Sequence, residues 1–308
     1  MFKRNNNAGA PMEVACGQCL GCRLDRSRIW AMRIIHESQQ WDHNCFITLT
    51  YREPRDCSEQ QLKDQHHVPE DGSLRKKHFQ DFMKRLRKFS GTDQGKEYLA
   101  QDVTNRKIRY YQCGEYGDQL DRPHYHACLF NVRFMDQELF QQREGNLLFI
   151  SETLEKLWPY GFSTIGELTF ESAAYCARYV LKKVTGNKAH DHYLRFNPDT
   201  GEIYWLEPEY CTMSRRPGIG KTWYDQYKDD CFPSDETPVP GQGVIPKVPR
   251  YYEELLRIEQ PDIYEEVKAA RQKYRQAHAE EYTSDRLMAK YKVAKAKKDQ
   301  FLIRGFEK

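Results

Sequence analysis

The segment Arg122-Pro-His124-Tyr-His126-Ala-Cys-Leu-Phe130 carries the densest chemical signal in this sequence. On a strand, side chains two apart project to the same face, so His124 and His126 would stand together with Tyr125 on the opposite side. Two imidazoles so placed make a ready pair of metal ligands, although a histidine pair can equally be structural. Upstream lies Glu115, just past the preceding predicted strand, where an antiparallel turn would bring its carboxylate alongside both histidines. Two imidazoles and one carboxylate, with positions left open, suit Mg²⁺ or Mn²⁺, ions that also take a phosphate oxygen.

A second constellation is Ala174-Tyr175-Cys-Ala-Arg178-Tyr179-Val-Leu-Lys182-Lys183. Two tyrosines at i and i+4 of a helix share a face one turn apart, so both could reach one site in turn. A phenolate is a competent nucleophile at phosphorus, and a nearby cation favours its ionised form; Arg178 follows Tyr175, and Lys182 follows Tyr179, by one turn. The same spacing also serves core packing, so the tyrosines gain chemical meaning from the histidine pair.

Two further clusters are open to more than one reading. Cys16, Cys19 and Cys22, spaced C-x-x-C-x-x-C, offer three soft thiolates. They could hold a structural Zn²⁺ or an iron-sulfur cluster with a fourth ligand such as His36, Cys45 or Cys211, or remain free thiols, or act in redox chemistry. Met213-Ser-Arg215-Arg216-Pro-Gly218-Ile-Gly220-Lys221 lacks phosphate-loop spacing, so it does not imply nucleotide binding. Its glycines and cations suit a contact along a DNA backbone, or a rigid turn that closes a domain.

The elements that must position these groups can be read from periodicity. Ile29, Met32, Ile34 and Ile35 place a helix after the cysteines, running to His36. Phe46–Tyr51, rich in β-branched and aromatic residues and ended by Pro54, reads as a buried strand. Residues 52 to 73 read as polar loop, and Phe79, Phe82, Leu86 and Phe89 define the apolar face of a basic helix. Ile108–Cys113 and His124–Val132 read as an antiparallel pair joined by a turn-rich Gly114-Glu-Tyr-Gly-Asp118. Ser151 caps a helix reaching Trp158, Phe162–Leu168 reads as a strand, and Ser172–Val184 as a helix.

Composition bounds the rest. The chain has 308 residues, 39% hydrophobic, and ten cysteines with no export signal, which read as free thiols or metal ligands in a reducing compartment. No apolar run is long enough to span a membrane, so a membrane partner is not expected and work in a cytoplasm is. Net charge is only +3, but eight Lys/Arg stand against two acids from Arg286 to the end, which would add sequence-independent affinity for DNA.

Taken in order, Phe46–Tyr51, Arg122-Pro-His-Tyr-His126 and Tyr175-x-x-x-Tyr179-x-x-Lys182 resemble the three motifs of HUH-type rolling-circle replication initiators. The closer likeness is to the initiators of gokushovirus-type microvirus phages, where segments like Val14–Arg28 and Met213–Gly220 also belong; it covers roughly residues 14 to 224. The resemblance implies that His124, His126 and Glu115 hold the divalent ion and that Tyr175 and Tyr179 attack the scissile phosphate, with Lys182 beside them. It implies a 5′-phosphotyrosine link, a free 3′-hydroxyl, later strand joining, and single-stranded origin DNA as substrate. With no helicase motif in the chain, a host helicase and DNA polymerase would be its partners in the bacterial cytoplasm. Arg178 stands where the family motif has lysine; since arginine stays protonated, Tyr179 is expected to initiate. Arg178, Lys183, Arg215 and Arg216 are expected to contact DNA.

The expected fold is α+β: a central antiparallel sheet flanked by helices, of the HUH endonuclease, RRM-like type, with a helical C-terminal extension. Its parts would be a Cys-rich segment and helix over 1–40, the endonuclease domain over 41–231, a Pro-rich linker over 232–249 and a helical basic tail over 250–308. Two rival readings are a transposase or relaxase built on the same motifs, and a non-catalytic Cys-rich DNA-binding regulator, which would need neither tyrosine nor metal.

Overall fold

A computed structural model describes residues 2–5, 11–14, 17, 19–117, 120–143, 145–178, 183–197 and 200–303. The chain divides into two compact units. Trp30–Gln226 with Val239–Gly241 forms the larger; Met1–Ile29, Tyr227–Pro238 and Gln242–Lys308 form the other.

The larger unit is built on a seven-stranded antiparallel sheet. Its strands are β1 (Asn44–Thr50), β2 (Arg109–Tyr116), β3 (Pro123–Phe130), β4 (Gln137–Arg143), β5 (Asn146–Ser151), β6 (Ser163–Gly166) and β7 (Tyr210–Met213). They lie in the order β7-β2-β3-β1-β6-β5-β4, so β3, which carries both histidines, is central. The α+β class with a central antiparallel sheet and a helical C-terminal region is as expected from the sequence.

Strand alternation decides which side of the sheet becomes core. Ile47 and Leu49 of β1 and Tyr125, Ala127 and Leu129 of β3 are buried on one face, against Phe79, Phe82, Met83 and Leu86 of a helix over Lys76–Ser90. That helix has no side-chain cap of its own. Instead the Tyr125 hydroxyl accepts from Arg75 N at 2.9 Å and donates to Arg75 O at 3.0 Å, so the sheet fixes where the helix begins. Several of its cations are engaged at home: Lys77 and Lys84 on Asp81, and Arg85 on the Leu157 carbonyl at 2.8 Å.

Glu152–Leu157 is a helix whose expected cap is present, Ser151 Oγ accepting from Leu154 N at 3.1 Å. Gly161 lets β6 approach β1, because a Cβ there would lie 2.3 Å from Thr50 O. Three expectations are corrected. The strand predicted to stop at Cys113 runs on to Tyr116, because Gly114 and Glu115 pair with Tyr125 and His124 rather than turning. The loop 52–73 contains a helical turn at Pro54–Asp56 and a short helix at Glu59–Lys63, closed by a capping box between Ser58 and Gln61. The helix expected over Ser172–Val184 is described over Phe170–Arg178; 179–182 lie outside the described residues, and Lys183 and Val184 are not helical.

The smaller unit includes helices Arg250–Glu259, Pro261–Ala277 and Ser284–Ile303. The first two bury Tyr252, Leu256 and Val267, and Arg271 pairs with Asp235 and with Glu253. No helix among the described residues is long and apolar enough to cross a membrane.

Candidate active site

The outer face of β3 carries the chemistry, and register explains its assembly. Glu115 of β2 stands directly opposite His124, and His126 opposite Cys113, so Glu115, His124 and His126 project from neighbouring positions of one face. Their ligand atoms all lie within 4.8 Å of one another. Glu115 Oε1 is 2.7 Å from His124 Nε2 and 3.0 Å from His126 Nε2. The triad is largely sheltered: Glu115 is 1% exposed, His126 6% and His124 17%. Burial alone would raise the Glu115 pKa, but hydrogen bonds from His124 and His126 outweigh it and hold the carboxyl at about 2, so it stays ionised.

The far ring nitrogens are held as well. His124 Nδ1 lies 3.0 Å from the Arg122 carbonyl, and His126 Nδ1 lies 2.9 Å from Thr48 Oγ1 on β1. A carbonyl oxygen only accepts, so His124 Nδ1 carries a proton, and Nε2 of the neutral ring then presents a lone pair to the Glu115 carboxylate. Lone pair facing carboxylate is repulsive; either a second proton or a cation between them relieves it. The donor set therefore fits a divalent ion, with Arg122 O and Thr48 Oγ1 setting ring orientation from behind. Thr48 was not singled out from the sequence, although it alternates with core-facing Ile47 and Leu49 in a strand otherwise apolar at those positions.

The helix Phe170–Arg178 is closed at its start by reciprocal bonds between Thr169 and Ser172, each backbone N–H donating to the other's hydroxyl, at 2.9 Å from Thr169 and 3.3 Å from Ser172. Ala173, Cys176 and Ala177 are fully buried beneath it, and such small side chains let the helix lie close on the sheet. The Cys176 thiol lies 3.5 Å from the His126 carbonyl and 3.6 Å from Cys113 Sγ. Burial pushes both thiols well above their usual range, so they are protonated and poor nucleophiles. Tyr175, half-buried, places its ring edge-on 5.0 Å from that of His126 and 6.3 Å from Phe46, whose ring in turn lies parallel to His126 at 5.6 Å. One of the two sequence-predicted tyrosines thus borders the triad. Tyr179 and Lys182 lie outside the described residues.

Arg178 is half-buried at the helix end, and Lys183, Arg215 and Arg216 are exposed. The backbone after Arg215 is locked from beneath. Arg33 donates to Ile219 O at 3.0 and 2.9 Å, Arg109 to Pro217 O at 2.9 Å, and Lys107 to Arg216 O at 2.8 Å, while Glu37 accepts from Gly220 N at 2.8 Å. Arg109 and Glu37 form a buried ion pair, with side chains 3% and 1% exposed. A rigid turn and two outward cations therefore coexist in this segment. Of the N-terminal cysteines, Cys19 is exposed and Cys22 half-buried at the start of the helix Leu20–Ser38, and Cys16 lies outside the described residues. His36 is stacked on Trp223 with centroids 3.5 Å apart, Cys45 is in the core, and Cys211 lies across from Cys113.

Fold and site together define an α+β protein with a candidate two-histidine, one-carboxylate metal centre on an antiparallel sheet. The family of replication-associated proteins typified by ORF2 matches residues 44–184, which span the triad and both tyrosines. The chain is 32% identical over 261 residues to replication-associated protein VP4 of Bdellovibrio phage phiMH2K, covering 84% of this chain and 72% of that protein. It is 32% identical over 265 residues to replication-associated protein ORF2 of Spiroplasma virus 4, covering 85% and 73%. Replication-associated protein ORF4 of Chlamydia phage 1 is 29% identical over 175 residues, covering 55% of this chain and 38% of that protein. No solved structure matches the chain. The chain belongs to the family of phage replication-associated proteins.

Proposed function

We propose that this protein initiates rolling-circle replication of a small single-stranded DNA phage by nicking origin DNA through tyrosine attack. The observation that carries the reading is the Tyr175 ring 5.0 Å from that of His126, within the reach of a phosphate held at the triad. His124, His126 and Glu115 would hold Mg²⁺ or Mn²⁺, which supplies charge neutralisation and alignment of a phosphate oxygen when bound. The tyrosine hydroxyl gives up its proton as its oxygen bonds to phosphorus; the bond from phosphorus to the 3′-oxygen breaks, and that oxygen leaves as a 3′-hydroxyl after taking a proton. The 5′-phosphotyrosine conserves the phosphodiester bond for later joining.

Tyr179, with Lys182 one turn on, is the initiating nucleophile in this reading, and Tyr175, followed by Arg178, the second. Lysine can exchange a proton at accessible cost; arginine stabilises charge but does not readily exchange one. After copying, the second tyrosine attacks the regenerated origin and the freed 3′-hydroxyl attacks the first phosphotyrosine, releasing a circle. Arg178, Lys183, Arg215 and Arg216 contact the DNA backbone, and a host helicase and DNA polymerase act beside the protein in the bacterial cytoplasm. Family membership favours this over a transposase or relaxase, and the buried triad favours it over a non-catalytic regulator.

The test is incubation with an end-labelled single-stranded origin oligonucleotide, read on a denaturing gel. Label migrating with the protein in Mg²⁺ or Mn²⁺, and absent in EDTA, supports the reading. Cleavage by His124→Ala/His126→Ala in chelated buffer would end it.

A further inference from the structure

The outer face of the sheet does not end at the triad. Glu115 pairs with His124, and His124 with Thr50; Thr50 in turn donates to the Phe162 carbonyl, from its backbone N–H at 2.9 Å and its hydroxyl at 2.8 Å. One cross-strand row therefore leads from the metal centre to Phe162. With strands about 4.8 Å apart, Phe162 lies two strands, roughly 10 Å, from His124. Alternation puts its side chain on the outer face: Thr164, two residues on, pairs with Thr48, whose hydroxyl contacts His126.

Phe162 is 41% exposed, and Phe140, at the irregularity in β4, is 51% exposed with its ring 5.3 Å from that of Phe162. The row between them and the triad holds the short side chain of Thr50, so nothing bulky in it separates the two sites. Two phenyl rings presented together to water, continuous with a phosphate-binding centre, match a flat apolar ligand joined to a phosphate. An unpaired nucleobase is such a ligand; in a duplex its faces are already stacked.

We propose that Phe162, with Phe140 packed beside it, is a stacking platform for an unpaired base of single-stranded DNA close to the scissile phosphate. This rests on the reading that the triad binds the scissile phosphate. Stacking on phenyl rings accepts every base, so the platform sets affinity and register on the strand and leaves sequence recognition to other groups.

The experiment is equilibrium binding of the full-length protein to a fluorescein-labelled single-stranded oligonucleotide of mixed sequence, in EDTA so that binding alone is read. Phe162→Ala should weaken binding roughly tenfold and Phe140→Ala less. Phe162→Trp should keep wild-type affinity, and its added indole emission should be quenched by the oligonucleotide but not by an abasic strand of the same length. Phe162→Ala binding within about twofold of wild type would overturn the proposal, as would Trp emission that abasic and base-bearing strands change alike. If the alanine variant fails to fold, the tryptophan arm decides. Covalent attachment in Mg²⁺ is scored separately: an adduct from wild type with no stacking defect sinks only the platform, and a stacking defect with no adduct sinks only the nicking reading.

Discussion

Adjacent residues of β3 serve opposite faces of the sheet under different physical rules. Tyr125 points into the core, fully buried, with its hydroxyl 2.7 Å from that of Tyr51 and clasping the Arg75 peptide; burial pushes its pKa up to about 12. His124 and His126 point outward, around a carboxylate kept ionised. On the core face polar atoms are satisfied by neighbours and serve stability. On the outer face three ligand atoms are gathered around one point, an arrangement that costs stability unless a cation joins it. The contrast teaches that chemistry and folding can be separated here by single substitutions one residue apart.

The largest effect expected from that contrast lies on the outer face. His124→Ala or His126→Ala should lower nicking by at least about 10²-fold, with EDTA mimicking either change and single-stranded DNA binding largely kept. A timed cleavage assay with a parallel binding titration checks both halves. If binding and cleavage fall together, the histidines shape the fold rather than the reaction.

Next come the tyrosines. Tyr179→Phe should suppress the first cleavage more severely than Tyr175→Phe, and either should block the joining step that needs both hydroxyls. Should Tyr175→Phe nick and circularise normally, its ring packs against His126 without meeting DNA.

The core face should answer with stability instead. Tyr125→Phe leaves the Arg75 N–H and the Tyr51 hydroxyl short of a partner, a loss of about 1–3 kcal/mol, read by chemical denaturation. Cleavage at a temperature where the variant is folded should stay near wild type. A reversed pattern, full stability with lost cleavage, would dissolve the division between the faces.

Much of this division was legible because it is local. The period of two across His124-Tyr-His126, the β-branched run of β1, the apolar spacing of the Lys76–Ser90 helix and the Ser151 cap are each written within a few residues. What was missed is non-local. Glu115 was found by its distance from the histidines but set on a turn, because Gly114 reads as a turn residue; there it serves as a close approach, where a Cβ would lie 2.9 Å from Tyr210 Cε1. The Thr48 contact to His126 spans 78 residues, and the pairing of β7 with β2 about a hundred, so no short pattern announces either. The β4 and β5 hairpin was missed for another reason: its residues are half-exposed on both faces and show weak alternation.

The smallest effect expected is a pH dependence on the core face. Desolvation, aided by the Arg75 charge, lowers the His78 pKa to about 4, where it packs on Tyr160 and contacts the Tyr51 hydroxyl at 2.7 Å. In the unfolded chain it would titrate near 6.5. The folded state holds His78 neutral, so its share of stability is complete above about 6.5, is lost as pH falls toward 4, and then levels off. Unfolding measured at several pH values should show a shallower decline in His78→Gln; an unchanged decline would assign it to other groups.

The central claim is tested most directly by digesting the DNA-linked protein and mapping the modified peptide by mass spectrometry, in wild type and in each single tyrosine variant. The account predicts a 5′-phosphate adduct on Tyr179 in wild type and in Tyr175→Phe, formed only with Mg²⁺ or Mn²⁺. An adduct on neither tyrosine, or one formed equally in EDTA, would contradict it.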